Sequence, residues 1–286
     1  MAEGDSRTVV ERSLDRTHVQ TTLESVIEAN RFTIAVVFPA VGAVILLASA
    51  EGWLPGWLAF NAGLLLFGMF VMRSPLLVGA APLVDRRAGV FLLGLIGYTY
   101  AIEMIGVASG LPYGGFSYGV DLGPMLAGVP LALPVLFIPL VVNAYLLTVL
   151  VAPSLTTSAL VRLPIAIAAV IAIDLVLDPA AVAIGFWAFD AGGVYYGVPW
   201  TNYAGWLISA TVAVLAIDLA VDLEAVHARA KGCPFILDDL VSFVLLWGSI
   251  NLLYGQFIPV AVTVVLIVGL FATGRYDHVL DRFSIG

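Results

Sequence analysis

The chain of 286 residues is 61% hydrophobic and only 11% charged, with a mean hydropathy of +1.05. That apolar share exceeds what an ordinary soluble domain carries and calls for lipid as solvent, so the expectation is a single all-α, polytopic membrane protein. A net charge of −8 without a basic patch argues against a nucleic-acid partner, and one cysteine, Cys233, excludes an intrachain disulfide and argues against a thiolate metal cluster.

Residues 1–30 are polar and mixed in charge, without the basic start, short apolar run and small-residue cleavage site of a signal peptide. They read as a cytosolic arm, either a solvated tail or an amphipathic helix using Val9, Val10, Leu14, Val19 and Leu23. Residues 31–275 read as the transmembrane catalytic domain and residues 276–286 as a cytosolic tail. Apolar runs predict eight spans near 32–50, 53–72, 88–109, 127–151, 160–180, 203–221, 236–254 and 256–273. Little more than Gly255 and Gln256 parts the last two, which form either a tight hairpin or one broken segment.

Orientation follows Lys and Arg near the helix ends. Arg7, Arg12, Arg16 and Arg31 precede the first span, while Arg73, Arg86 and Arg87 follow the second. Arg162 opens the fifth, Arg229 and Lys231 follow the sixth, and Arg275 and Arg282 follow the eighth. All 12 basic residues thus fall on one side, which predicts a multi-pass cell-membrane protein with both termini cytoplasmic. The acidic chain with Lys231 as its only lysine suits a salt-rich cytoplasm.

Carboxyls inside spans are costly and tend to face a bundle interior, so each is a site candidate. Glu103 lies in the outer half of the third span, where burial favours its neutral form; the alternative role is an interhelical hydrogen bond. Asp174 and Asp178, four apart on the fifth span, share one helical face, and two like charges that close in low dielectric cannot both ionise easily. The alternative is that Asp178, just before Pro179, ends a helix while Asp174 bonds a neighbour. Asp218 and Asp222 repeat the spacing near the cytoplasmic end of the sixth span and read as a solvated helix end. Asp238 and Asp239 suit the N-terminus of the seventh.

The outer loops, 110–126 and 181–202, are rich in Gly, Pro and aromatics and are expected to re-enter or cap the bundle. They supply Tyr113, Phe116, Tyr118 and Asp121 on one side and Trp187, Tyr196, Trp200 and Asn202 on the other, with Trp206 just beyond. Aromatic faces there can line an apolar tunnel and steady a carbocation. Trp53 and Trp57 read instead as interfacial anchors. The runs Gly-Gly-Phe-Ser-Tyr-Gly and Gly-Gly-Val-Tyr-Tyr-Gly each follow a carboxylate-bearing span and hint at an internal repeat. Nucleotide loops, dinucleotide fingerprints and zinc-protease motifs are absent, and no histidine cluster for di-iron chemistry exists, so no cofactor or metal is expected.

Two blocks resemble the membrane carotenoid hydratases, especially their archaeal members. One is Glu103-Met-Ile-Gly-Val-Ala-Ser-Gly-Leu-Pro-Tyr-Gly-Gly-Phe-Ser-Tyr118, continuing through Leu122-Gly-Pro-Met-Leu-Ala-Gly-Val-Pro-Leu131. The other is Asp174-Leu-Val-Leu-Asp178-Pro179 with Trp187, then Tyr196-Gly-Val-Pro199, Asn202 and Gly205-Trp206. Together they cover residues 95–210; Phe189 departs from the pattern, since relatives often carry a second tryptophan there. The resemblance implies hydration of the two terminal isopentenyl groups of bisanhydrobacterioruberin, a C50 carotenoid held in the bilayer, giving the tetrahydroxylated bacterioruberin in two steps. It also suggests association with other membrane enzymes of carotenoid biosynthesis.

Such hydration needs a carboxylic acid to protonate the less substituted alkene carbon and a base to take a proton from the water that traps the tertiary cation. Glu103, Asp174 and Asp178 offer both if the third and fifth spans are adjacent, and Asp121, Tyr118 or Asn202 would position the water. One rival is a membrane prenyltransferase, because Asp174-x-x-x-Asp178 and Asp218-x-x-x-Asp222 imitate magnesium-diphosphate motifs. The outer pair has no basic partner for phosphate, which disfavours it. A carotenoid-binding scaffold or small-solute transporter is the non-enzymatic rival.

Overall fold

Polar caps and glycines punctuate the apolar runs, and the computed structural model, which describes residues 17–276, places helix ends at them. Helix α1 covers residues 17–29. A π-helical stretch, Thr33–Val37, leads into α2, Phe38–Ala50. The Asn61 side chain accepts from Leu64 N at 3.1 Å and starts α3, Ala62–Ala80. Asp85 caps α4, Arg86–Ser109, in the same way, and Gly110 at φ 73° closes it with a left-handed turn that glycine adopts without strain. The chain continues through β1, Phe116–Tyr118, the hairpin of β2, Met125–Leu126, and β3, Val129–Pro130, and then α5, Leu133–Val151. Next come α6, Ala159–Ala183, β4, Trp187–Phe189, and α7, Trp200–Ala220. A short amphipathic α8, Leu223–Gly232, precedes α9, Asp238–Leu253, and α10, Phe257–Ala272.

The protein is a polytopic helical membrane protein, with six helices among the described residues long and apolar enough to cross a bilayer. Helices α9 and α10 have 16 residues each and fold as a hairpin about Gly255, which selects the hairpin over the broken segment. Buried side chains concentrate on α5, α6 and α9, which form the centre; α7 packs against α6 on one flank and α4 on the other.

The second span is corrected. Its predicted range, 53–72, stops just before Arg73, whereas α3 starts nine residues later, at Ala62, and ends eight residues later, at Ala80. Arg73 reads as a flanking charge, yet it lies buried within α3, and its Nη1 donates to both carboxylate oxygens of Asp239 at 2.8 Å. Compensation by a partner far along the chain makes a mid-helix charge tolerable. The Trp53 to Trp57 segment is a turn, and both tryptophans are 76% exposed, as interfacial anchors would be.

Asp218 is also corrected: it is not a solvated carboxylate but pairs with Arg162 at 2.6 Å and accepts from the Tyr145 hydroxyl at 2.7 Å. Asp222 caps α8. Helix α1 docks through Gln20, Glu24 and Ile27, with Glu24 on Arg229 at 2.6 Å, and leaves Val19 and Leu23 exposed. The expectations for Val9, Val10 and Leu14, and for residues 277–286, fall outside the described residues.

Candidate active site

The two outer loops join into one cap. Strands β1 and β4 pair antiparallel, with Phe116 opposite Phe189, Ser117 opposite Ala188 and Tyr118 opposite Trp187. The two glycine-aromatic runs therefore do not play equivalent parts: the first contains β1, and the second forms a turn closed by a Tyr195 to Val198 bridge. Phe189, the departure from the carotenoid-hydratase pattern, packs its ring 6.2 Å from Phe116. A side chain at Gly205 would collide with the Tyr113 ring, so this glycine lets the first loop seat on α7.

Beneath the cap lies a cavity of about 430 Å³. Glu103 of α4 and Asp178 of α6 both line it, together with Tyr113, Phe116, Tyr118, Trp187, Asn202 and Trp206. Sequence reasoning required the third and fifth spans to be adjacent; instead each packs along α7, which carries Asn202 between them. The Tyr118 hydroxyl donates to Glu103 Oε1, and the Asn202 amide donates to Asp178 Oδ2 and, at 3.4 Å, to Asp174 Oδ2. Tyr113 meets the Ser209 hydroxyl at 2.6 Å, and Tyr98 meets it from the other side at 3.0 Å. Burial beside the Glu103 carboxyl pushes the Tyr118 phenol above its ordinary range, so Tyr118 stays a donor.

Four sequence candidates stand outside the cavity wall. Asp174 is buried behind Asp178 and reaches the site through Asn202. Asp121 is exposed and accepts from Gly123 N within its own turn at 2.9 Å. The Tyr196 hydroxyl accepts from Ile258 N at 3.3 Å, and Trp200 opens α7 largely exposed against Tyr203.

Helix α6 does not end at Asp178; it continues through Pro179 to Ala183. Proline has no N–H for the carbonyl four residues back. The Tyr195 hydroxyl donates to that carbonyl, Leu175 O, at 3.2 Å, while Asn251 and Gln256 donate to Val176 O and Pro179 O at 2.8 and 3.2 Å. These three residues hold the carboxylate-bearing turn; Tyr195 belongs to the aromatic outer loop that the sequence singles out, whereas sequence reading missed Asn251 and Gln256 because their partners are backbone atoms of another helix. It also missed Phe60, Phe186 and Trp247: Phe186 packs 5.7 Å from Phe60 and 6.0 Å from Trp247, extending the aromatic wall. Adjacency of Phe186 to Trp187 was the only available signal.

None of the described salt bridges reaches Glu103, Asp174 or Asp178. Arg73 and Asp239 also line this space, as an ion pair, which leaves Glu103 and Asp178 as the two lining carboxyls that carry hydroxyl and amide donors and no cation, among aromatic faces. That set can move a proton onto and off a bound hydrocarbon and stabilise positive charge between. Asp218, by contrast, is occupied by Arg162 and Tyr145, and Asp222 caps a helix, so this second aspartate pair is committed to structure.

Residues 60–270 match the family described as "Carotenoid biosynthesis protein". The bisanhydrobacterioruberin hydratase of Haloarcula japonica is 54% identical over 289 residues, covering 100% of this chain and 98% of that protein. No solved structure matches significantly.

Proposed function

The chain belongs to the carotenoid biosynthesis protein family, and from that premise we propose that it hydrates the terminal isopentenyl double bonds of bisanhydrobacterioruberin to form bacterioruberin. The observation that carries the mechanism is the pair of cation-free carboxyls, Glu103 and Asp178, facing one aromatic-walled cavity. One carboxyl transfers its proton to the CH carbon of the trisubstituted alkene, the π pair forming the new C–H bond and leaving a tertiary cation. Water adds through oxygen to that cation, and the second carboxylate takes the proton the oxonium loses. One alkene and one water become one tertiary alcohol, and proton exchange between the carboxyls resets the site. Trp187, Phe116 and Trp206 offer ring faces to the cation, and Tyr118 and Asn202 hold the carboxyls in place.

The chain crosses the bilayer eight times with both termini cytoplasmic. The clustering of Arg31, Arg86, Arg87, Arg162, Arg229, Lys231 and Arg275 at one end supports this orientation. Residues 1–30 and 276–286 then flank the membrane domain on the cytoplasmic face. A substrate that never leaves the bilayer suits handover from other membrane enzymes that build the polyene.

The test is direct. Purified protein in vesicles is given bisanhydrobacterioruberin in water labelled with heavy oxygen, and the pigment is chromatographed and weighed. Two labelled oxygens per product molecule are expected; unchanged pigment overturns the reading.

A further inference from the structure

Helix α3 is unevenly held. Its buried residues, Arg73, Pro75, Leu76 and Gly79, all lie in the C-terminal part, and none lies between Ala62 and Met72, about 16 Å of helix. Leu64 to Met69 all line the cavity, and because six consecutive residues exceed one helical turn, the cavity reaches both flanks of α3. On the α2 side the wall is also the outer surface: Val41 is 51% exposed and Phe67 60%, and the Phe38 and Phe67 rings meet there at 6.1 Å. The space holding Glu103 and Asp178 therefore continues sideways between α2 and α3 toward the lipid.

Where the loose part of α3 meets the anchored part, its backbone ladder is broken. Pro75 supplies no N–H to Val71 O, and the Ser74 hydroxyl donates to that carbonyl instead at 2.7 Å. Arg73, fixed on Asp239, anchors the helix beside this break. A cavity of about 430 Å³ suits a ligand of drug size and encloses only one end of a fifty-carbon chain. The remainder must leave through a wall, and the wall that is apolar, exposed and weakly packed is the one between α2 and α3.

We propose that the groove between α2 and the outer half of α3 is both the lateral door for the polyene and the binding site of its unreacting length. This rests on the hydratase reading and adds how the substrate is gripped. Contacts in the groove act on binding, equally before and during the reaction, so damage to them raises KM and spares kcat.

Gly68 lines the cavity next to Phe67, and a Cβ added there meets no atom within 4 Å, so Gly68→Trp puts bulk into this part of the wall without a clash at its root. KM for the polyene should rise about tenfold or more with kcat held within about twofold. A reversible lock is the second test: Phe38→Cys with Phe67→Cys, bridged by a short cleavable dithiol reagent, the native Cys233 being buried. Bridging should stop polyene turnover and cleavage should restore it. Unchanged KM in Gly68→Trp, a fall in kcat alone, or full turnover by the bridged protein overturns the groove while leaving hydration intact. Wild-type protein that hydrates nothing overturns the hydratase reading, and the groove's assignment with it.

Discussion

Buried carboxyls occur at both ends of the bundle, and their partners differ. Toward the basic end, Asp238 holds Arg31 at 2.7 Å, Asp239 holds Arg73 at 2.8 Å and Asp218 holds Arg162 at 2.6 Å. Under the cap, Glu103 accepts from a phenol and Asp178 from an amide, and none of the described salt bridges reaches either. An ion pair commits a carboxylate to packing, because its oxygens are held by the cation; a carboxyl without a cation keeps its oxygens open to a substrate. The same residue type is therefore mortar at one end and a reagent at the other.

The largest effect should come from converting the capped carboxyls to amides. Glu103→Gln and Asp178→Asn keep shape and hydrogen bonding but remove the transferable proton, so turnover should fall about 10²–10⁴-fold with folding and polyene binding retained. Near-normal conversion by both variants, scored by pigment chromatography, would erase the contrast between the two ends.

At the paired end the same chemical change should act on the fold. Asp239→Asn leaves the Arg73 guanidinium buried without its counter-charge, at a cost of about 3–5 kcal/mol, whereas Arg73→Met with Asp239→Leu should recover much of it. Thermal unfolding in detergent reads this; equal stability of the single and double variants would show that the pair is not structural.

A smaller loss, about tenfold, is expected for Tyr118→Phe and for Asp174→Asn, since each removes a hydrogen bond or a neighbour behind a cavity carboxyl rather than the carboxyl itself. If Asp174→Asn proves as damaging as Asp178→Asn, the buried member of the pair takes part in proton transfer directly. The smallest effect belongs to Asp222→Asn. Asparagine caps a helix as well as aspartate, so activity and melting temperature should stay at wild-type values, and a loss would place function at the basic end.

Composition and charge placement alone determined that this is a helical membrane protein, because lipid demands long apolar runs and those runs are visible in one dimension. Of the twelve site candidates eight line the cavity, and all eight fall in the motif blocks at 103–118 and 174–206, since glycine, proline and intramembrane acids are conspicuous in sequence. Tertiary structure decided what the same letters do. Arg73 reads as a span's edge until Asp239, 166 residues on, neutralises it within α3. Asp178-Pro179 leaves a helix end open as an alternative to a continuing span until Tyr195, Asn251 and Gln256 supply donors to the disturbed turn. Asp174-x-x-x-Asp178 and Asp218-x-x-x-Asp222 are near-identical local patterns, and only Asn202 beside the first pair, and Arg162 and a helix cap on the second, separate them. A charge's role depends on what faces it across helices, and that partner is set by packing rather than by spacing along the chain.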